Sequence, residues 1–482
     1  MEKVTSSQFA SSALWRFVDV ISRKIVTLFV SILLARMIAP EAYGVVALTM
    51  VFIVFCDIFI LNGFNVALIR KEETSPIDYS TVMTMSLSFT FIMYFFIWFC
   101  APLFAAFYDS PDLCPVLRVI TLLLFFESVS SVIRAKATRA MQFKEMTIAA
   151  FTSSLVSGGI ALALAYMGMG VWALVVQQVS SNLIEMIMLL IVFRWRMSFN
   201  FSSDVAMSMM RFTLGVLGTS FLDFFGNNFT NLIVGKAYST KDLGYMNRAN
   251  ILPETVGLNA YNSINSVLLP TLSSRQNNDA EMKTVLRKVM SLTMYVILPL
   301  MFGLIGSANV LIPVLLTDKW IPSVPLMYFC CLYYAINPIR AIGYSAFYAK
   351  GQSRFSVQVE VVRSLLMVAG VLLVVILKLS LLYVLLSNLL VSLIVVLTTQ
   401  HKVRGLLDYT FAELWTDICP SLMMSTVMCS VIFMIGMIPW NQIVILILQV
   451  TIGTVVYLLL SYLTGNSNYA LVKDYILNKF LK

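Results

Sequence analysis

Charge is scarce in this chain and histidine almost missing. Lysine, arginine, aspartate and glutamate make up 12% of the 482 residues, and His401 is the one histidine. A single imidazole in a basic loop offers no His-based metal site and reads as a surface residue. The seven cysteines (Cys56, Cys100, Cys114, Cys330, Cys331, Cys419 and Cys429) show no C-x-x-C or other ligand spacing. Most lie in apolar runs, so they read as small core residues without a disulfide framework. No nucleotide-binding loop and no nucleophile–base pair stands out, which argues against an enzyme. No metal and no other cofactor is expected. No loop is long enough to fold as its own soluble domain. No cleavable signal is visible: MEKVTSSQ is short and polar, and the first helix is expected to act as an uncleaved anchor.

What the chain has is apolar length. Hydrophobic residues make up 59% of it, the composition of a polytopic membrane protein. About fourteen stretches approach the roughly 20 apolar residues of a crossing. They fall near 13–37, 43–66, 80–107, 114–135, 146–166 and 170–193, then 212–236, 243–271, 284–315, 323–348, 355–377 and 380–399, with two more near 415–437 and 441–463. The expected fold is an all-α integral membrane bundle. The net charge of +9 follows from topology, so nucleic acid is not an expected partner. With the N-terminus in the cytoplasm, the clusters Arg70–Lys71, Arg134–Lys144, Arg275–Lys288 and Lys350–Arg354 fall in inner loops. Both termini are then cytoplasmic. Trp98, Trp172, Trp320 and Trp440 fall at outer ends and Trp15, Trp195 and Trp415 at inner ends, as two aromatic belts would place them.

One spanning stretch is unusual. Ala13 to Met37 reads ALWRFVDVISRKIVTLFVSILLARM and carries Arg16, Asp19, Arg23 and Lys24 inside it. Each such charge costs roughly 2.5–3.5 kcal/mol near a helix centre, while Leu, Ile, Val and Phe return only about 0.3–0.6 kcal/mol each. At about 100° per residue, Arg16, Arg23, Thr27 and Ser31 share one side, flanked by Asp19 and Lys24. The stripe points to a wet, protein-lined cavity. The competing reading, end charges snorkelling to headgroups, fits Arg16 better than Arg23.

The chain also resembles itself. LLARMIAPEAYGVV, from Leu33, aligns with LIVGKAYSTKDLGYM, from Leu232, so that Gly44 meets Gly244 and Arg36 meets Lys236. Further on, IRAKATRAMQFK from Ile133 aligns with IRAIGYSAFYAKG from Ile339. The expected organisation is a six-helix lobe over 1–199, a parallel repeat over 200–404, and two additional helices with a cytoplasmic tail over 405–482. The twin of the first helix, FLDFFGNNFTNLIVGK, carries Asp223, Asn227, Thr230 and Asn231, with Asp223 opposite Arg23 in the alignment. That pair is a candidate gate latch. The next helix adds Arg248, Asn250 and Glu254, too polar for a lipid face, and Pro253, which frees a carbonyl mid-span. Asp57, Glu127 and Glu185 are the remaining intramembrane acids, read as structural groups first and proton carriers second.

The order and spacing of LLARMIAPEAYGVVAL, ALIRKEE, SPDLCPVLRVITL, RAMQFK, LPTLSSRQNND, IPVLLTDKWIPSVPLM and AKGQSRFS give a resemblance over almost the full chain. The chain resembles the polysaccharide-transporter branch of the multidrug/oligosaccharidyl-lipid/polysaccharide exporter superfamily, nearest to Wzx-type flippases of the colanic acid exporter kind. The resemblance implies two lobes alternating between inward and outward openings. It implies an undecaprenyl-diphosphate-linked oligosaccharide as substrate, moved across the bacterial inner membrane, with other surface-polysaccharide assembly proteins as partners. Arg16, Arg23 and Arg248 would then hold the diphosphate, since guanidinium binds phosphate bidentately. Thr27, Asn227 and Asn231 would bind sugar hydroxyls, and Asp19, Asp223 and Glu254 would serve gating or ion coupling. Two other readings share some of these features. A MATE-like drug or cation antiporter has the same fold but favours an acid-lined cleft. A membrane glycan polymerase or ligase would need a large outer loop, which the chain lacks.

Overall fold

The computed structural model describes residues 24–470, excepting 25, 66, 67, 70, 72, 196, 197 and 199. Among the described residues the regular structure is helical throughout. Helix α1 is Val26–Met37. It is followed by α2 (Pro40–Asp57), which runs directly into a π-helix over Ile58–Asn65, and by α3 (Pro76–Phe107). Next come α4 (Leu113–Ile120), α5 (Leu123–Arg139), α6 (Phe143–Tyr166) and α7 (Val171–Val192). The longest elements follow: α8 (Ser203–Ala237), α9 (Thr240–Ser273) and α10 (Asp279–Leu316). The chain continues through α11 (Ser323–Ala349), α12 (Ser353–Ile376), α13 (Leu381–Leu407), α14 (Phe411–Ile435) and α15 (Gln442–Leu463). Among the described residues, ten helical segments are long and apolar enough to cross a bilayer. The chain is a multi-pass membrane protein.

Local chemistry sets several boundaries. Pro40 opens α2, where its missing N–H costs no hydrogen bond. At α3, Ser75 and Asp78 bracket the first turn: the Ser75 amide donates to Asp78 Oδ2 at 2.8 Å and its hydroxyl does so at 3.1 Å. Thr410 and Glu413 form the same box at α14, with bonds of 2.9 Å and 3.3 Å. The turn between α11 and α12 uses Gly351 at φ 70°, the left-handed region open to glycine.

The chain divides by packing into two compact units, Met1–Gly244 and Tyr245–Lys482. This division concerns which residues pack together. The lobe boundary near 200 concerns which stretches correspond in sequence. In the first unit, α6 packs along α7, α3 against α4 and α5, and α8 against α2 and its π-helix. The α8 seat is aromatic: Phe55 lies 5.6 Å from Phe221 and 5.5 Å from Phe224, and Phe59 lies 5.6 Å from Phe221. In the second unit, α10 packs along α14, and α11 along α13.

Two helix junctions fall at positions that the sequence alignment pairs. Helix α1 ends at Met37 and α2 opens at Pro40, while α8 ends at Ala237 and α9 opens at Thr240. The inner turns add a detail that sequence alignment passes over. Met141 and Gly351 both take positive φ, each followed by a glutamine and then a new helix. Relative to those turns, Arg340 lies one helical turn deeper than Arg134.

Candidate functional site

Arg16, Asp19 and Arg23 lie outside the described residues, as do the side chains of Asp223 and Asn227. The described part of the first helix has a packed face. Val30, Leu34 and Ala35 are buried, and Val30 fits so tightly against Gly158 that a Cβ there would come within 2.6 Å. Thr27 is exposed and Ser31 half-buried. On α8, Thr230 and Asn231 are half-buried.

In the second unit, Arg248 is 6% exposed, and its guanidinium lies 5.8 Å over the ring of Trp320. Trp320 is fully buried and meets Tyr245 edge-on at 6.0 Å. It is therefore enclosed within the unit, unlike Trp415 and Trp440, which are 60% and 61% exposed as belt residues should be. Burial pushes the ammonium of the neighbouring Lys319 below its usual range. Glu254, six residues after Arg248, accepts a 2.8 Å hydrogen bond from Asn250. The i,i+4 spacing puts these two side chains on one face, whereas a six-residue separation does not.

The densest charge chemistry lies elsewhere. On α5, Arg134 Nη1 donates to Glu185 on α7 at 2.8 Å, and Nη2 donates to Glu127 one face along its own helix. Asp57 stands within electrostatic reach of Glu127 and Arg134, and its Oδ1 is buried without a hydrogen-bond donor. Three acids thus surround one guanidinium. The second unit inverts that balance. Arg340 on α11 donates to Glu360 on α12 at 2.7 Å and to Asn337 at 3.1 and 2.8 Å. Arg363 Nε donates to the other Glu360 oxygen at 2.6 Å, and Tyr344 adds a 3.2 Å bond. Two guanidiniums share one carboxylate.

Two expected inner loops prove to be helix ends. Arg134 and Arg139 belong to α5, and Arg139 donates to the carbonyls of Leu68 at 3.3 Å, Ile69 at 2.8 Å and Lys71. Lys136 lies 4.8 Å over the ring of Trp195. Lys283 and Arg287 belong to α10, where Arg287 grips Asp417 of α14 at 2.9 and 2.8 Å and reaches Glu413 at 3.2 Å. Tyr409 donates to Asp417 at 2.8 Å. Burial, and then Asp417 beside it, push the Tyr409 phenol upward, so it remains a donor. Asp417→Asn is expected to destabilise the protein by about 1–2 kcal/mol, the strength of a charged hydrogen bond reduced by partial exposure. Thermal unfolding in detergent, followed by fluorescence, measures it; a midpoint equal to the parent's would remove this clamp from the fold's support.

The family model described as "Polysaccharide biosynthesis protein" matches residues 33–325. The chain belongs to that family. The chain is 24% identical over 298 residues to the succinoglycan biosynthesis transport protein ExoT of Rhizobium meliloti (strain 1021), covering 61% of this chain and 60% of ExoT. It is 19% identical over 323 residues to the lipopolysaccharide biosynthesis protein WzxC of Escherichia coli (strain K12), covering 64% and 63%. The chain thus spans about three-fifths of the length of these relatives. Its fold is that of the lipid II flippase MurJ in its inward closed conformation: TM-score 0.77 at 16% identity, over 94% of this chain and 98% of MurJ. An inward-facing multidrug resistance MATE family transporter of the MOP superfamily is also similar, with TM-score 0.58 at 14% identity over 81% and 96%. The expected resemblance to polysaccharide transporters holds.

The buried Arg340–Glu360–Arg363 cluster escaped the sequence reading, although its signal was present. The repeated Ile-Arg-Ala sets a guanidinium within an apolar helix, and Glu360 lies in the next one. Such a charge demands a partner.

Proposed function

We propose that the chain is a flippase for an undecaprenyl-diphosphate-linked oligosaccharide, the repeat unit of a surface polysaccharide. It moves this substrate from the cytoplasmic to the periplasmic leaflet of the bacterial inner membrane by alternating access. In this reading fourteen spans form two repeated lobes over 1–199 and 200–404, with a helix pair and tail over 405–482, and both termini are cytoplasmic. Arg16, Arg23 and Arg248 bind the diphosphate. Thr27, Asn227 and Asn231 bind sugar hydroxyls, while Asp19, Asp223 and Glu254 serve gating or ion coupling. Other surface-polysaccharide assembly proteins supply and receive the glycan. The structural observation that most supports the reading is Arg248, a buried guanidinium stacked on a buried tryptophan in a family named for polysaccharide biosynthesis. A guanidinium there recognises phosphate oxygens in a fixed plane.

Deletion of the gene, with mass spectrometry of extracted lipids, tests it. Complete lipid-linked repeat units are expected to accumulate at least tenfold on the cytoplasmic side. Loss of dye efflux with normal glycan levels would favour a drug antiporter instead. Unpolymerised units already on the outer face would favour a polymerase or ligase.

A further inference from the structure

The first turns of α2 and α9 cross with almost no side chain between them. A Cβ on Gly44 would lie 1.7 Å from the carbonyl oxygen of Thr240, and one on Gly244 would lie 2.0 Å from that of Pro40. These four residues pair by the repeat: position 40 corresponds to 240, and 44 to 244. Each glycine therefore faces the first residue of the other helix, the reciprocal pattern of a two-fold contact within one chain. The obstacle in each case is backbone carbonyl, which cannot swing aside as a side chain could. One turn further along, Leu48 closes against Gly235, where an added Cβ would meet it at 2.6 Å, and Leu48 is fully buried.

The ties around this crossing are exposed ion pairs. Lys241 and Glu41 meet at 3.2 Å with side chains 51% and 47% exposed, again at corresponding positions of the repeat. Lys236 and Asp109 meet at 2.8 Å, 41% and 80% exposed. Such pairs are weak and screened by salt. They differ from Arg134 with its two glutamates, which fastens α5 to α7 inside one repeat. Close backbone approach at small residues leaves few interlocked side chains to separate when this turn opens.

We propose that the Gly44–Gly244 crossing is the releasable outer seal of the protein, closed in this structure and opened to discharge cargo. The proposal rests on the alternating-access reading and on the orientation given above. It gives the repeat a mechanical purpose: both halves of the seal are copies of one turn.

Two measurements test it, both in a background with the native cysteines replaced. In the first, a Glu41→Cys/Lys241→Cys pair is bridged by a short bifunctional thiosulfonate. Export is expected to fall at least tenfold and to return when the linker is reduced. Undiminished export by the bridged protein would make the crossing a fixed pivot and overturn the proposal. In the second, a Leu48→Cys reporter is exposed to a membrane-impermeant thiol reagent in intact cells. Gly44→Ala is expected to raise its labelling at least tenfold by holding the seal apart, and Gly244→Ala to do the same. Unchanged labelling in protein that remains folded by detergent gel filtration would also overturn it. This second readout is independent of cargo. Strong labelling without accumulated lipid-linked glycan in the deletion strain would leave the seal standing and sink the flippase reading.

Discussion

Arg248→Gln is expected to cut export about 10- to 100-fold while leaving folded protein in the membrane. A charge-assisted hydrogen bond to phosphate is worth about 1.5–3 kcal/mol, and each 1.4 kcal/mol is a factor of ten. Glutamine keeps the helix propensity and one donor but loses the charge and the planar fork. The substitution also removes a cation over Trp320, worth about 0.5–2 kcal/mol of stability, so folded protein must be measured beside export. Arg248→Lys separates the two roles. It keeps the charge but not bidentate geometry, and is expected to retain more export than glutamine and less than the parent. Accumulated lipid-linked glycan provides the measurement. Full export by Arg248→Gln would reduce this residue to a packing group.

The second large effect concerns stability. Arg134→Met removes the cation that Glu127 and Glu185 share, and Asp57 adds to the negative charge left behind. Breaking a buried pair costs about 3–5 kcal/mol, and these half-buried groups fall at the lower end of that range. Arg340→Met is expected to cost less, about 1–3 kcal/mol, because Glu360 keeps Arg363. The order matters more than either size. Arg134→Met combined with Glu127→Gln and Glu185→Gln is expected to recover most of the loss, since neutral amides need no counter-ion. Thermal unfolding in detergent compares all three. Equal losses for the two arginines would refute the view that the balance of charge in each cluster sets its sensitivity.

The apolar runs announced most helices within a few residues, because a crossing must be long and uninterrupted. Pro40 and the correspondence of Gly44 with Gly244 were equally legible. What the runs could not convey was how far a helix continues once it turns polar. Arg134, Lys283 and Arg287 looked like loop charges because they flank the apolar runs. They remain helical with partners 51 residues away for Arg134 and 130 for Arg287. Pairing over such separations is a property of packing, absent from any local window. Trp320 misled for the same reason: its position suited an interfacial belt, yet a short turn folds it inward onto Arg248 and Tyr245. Glu254 and Asn250, by contrast, obey a rule of helix spacing that was open to reading beforehand.

The grip of Arg287 on Asp417 and Glu413 bears on how the chain is made. Translation delivers α10 before α14 exists, so the guanidinium emerges without the acids that later neutralise it. The final helix pair therefore docks beside cations that were translated before it. Assembly of the second unit therefore has a built-in sequence, with its last step recorded as an electrostatic handshake at the start of α14.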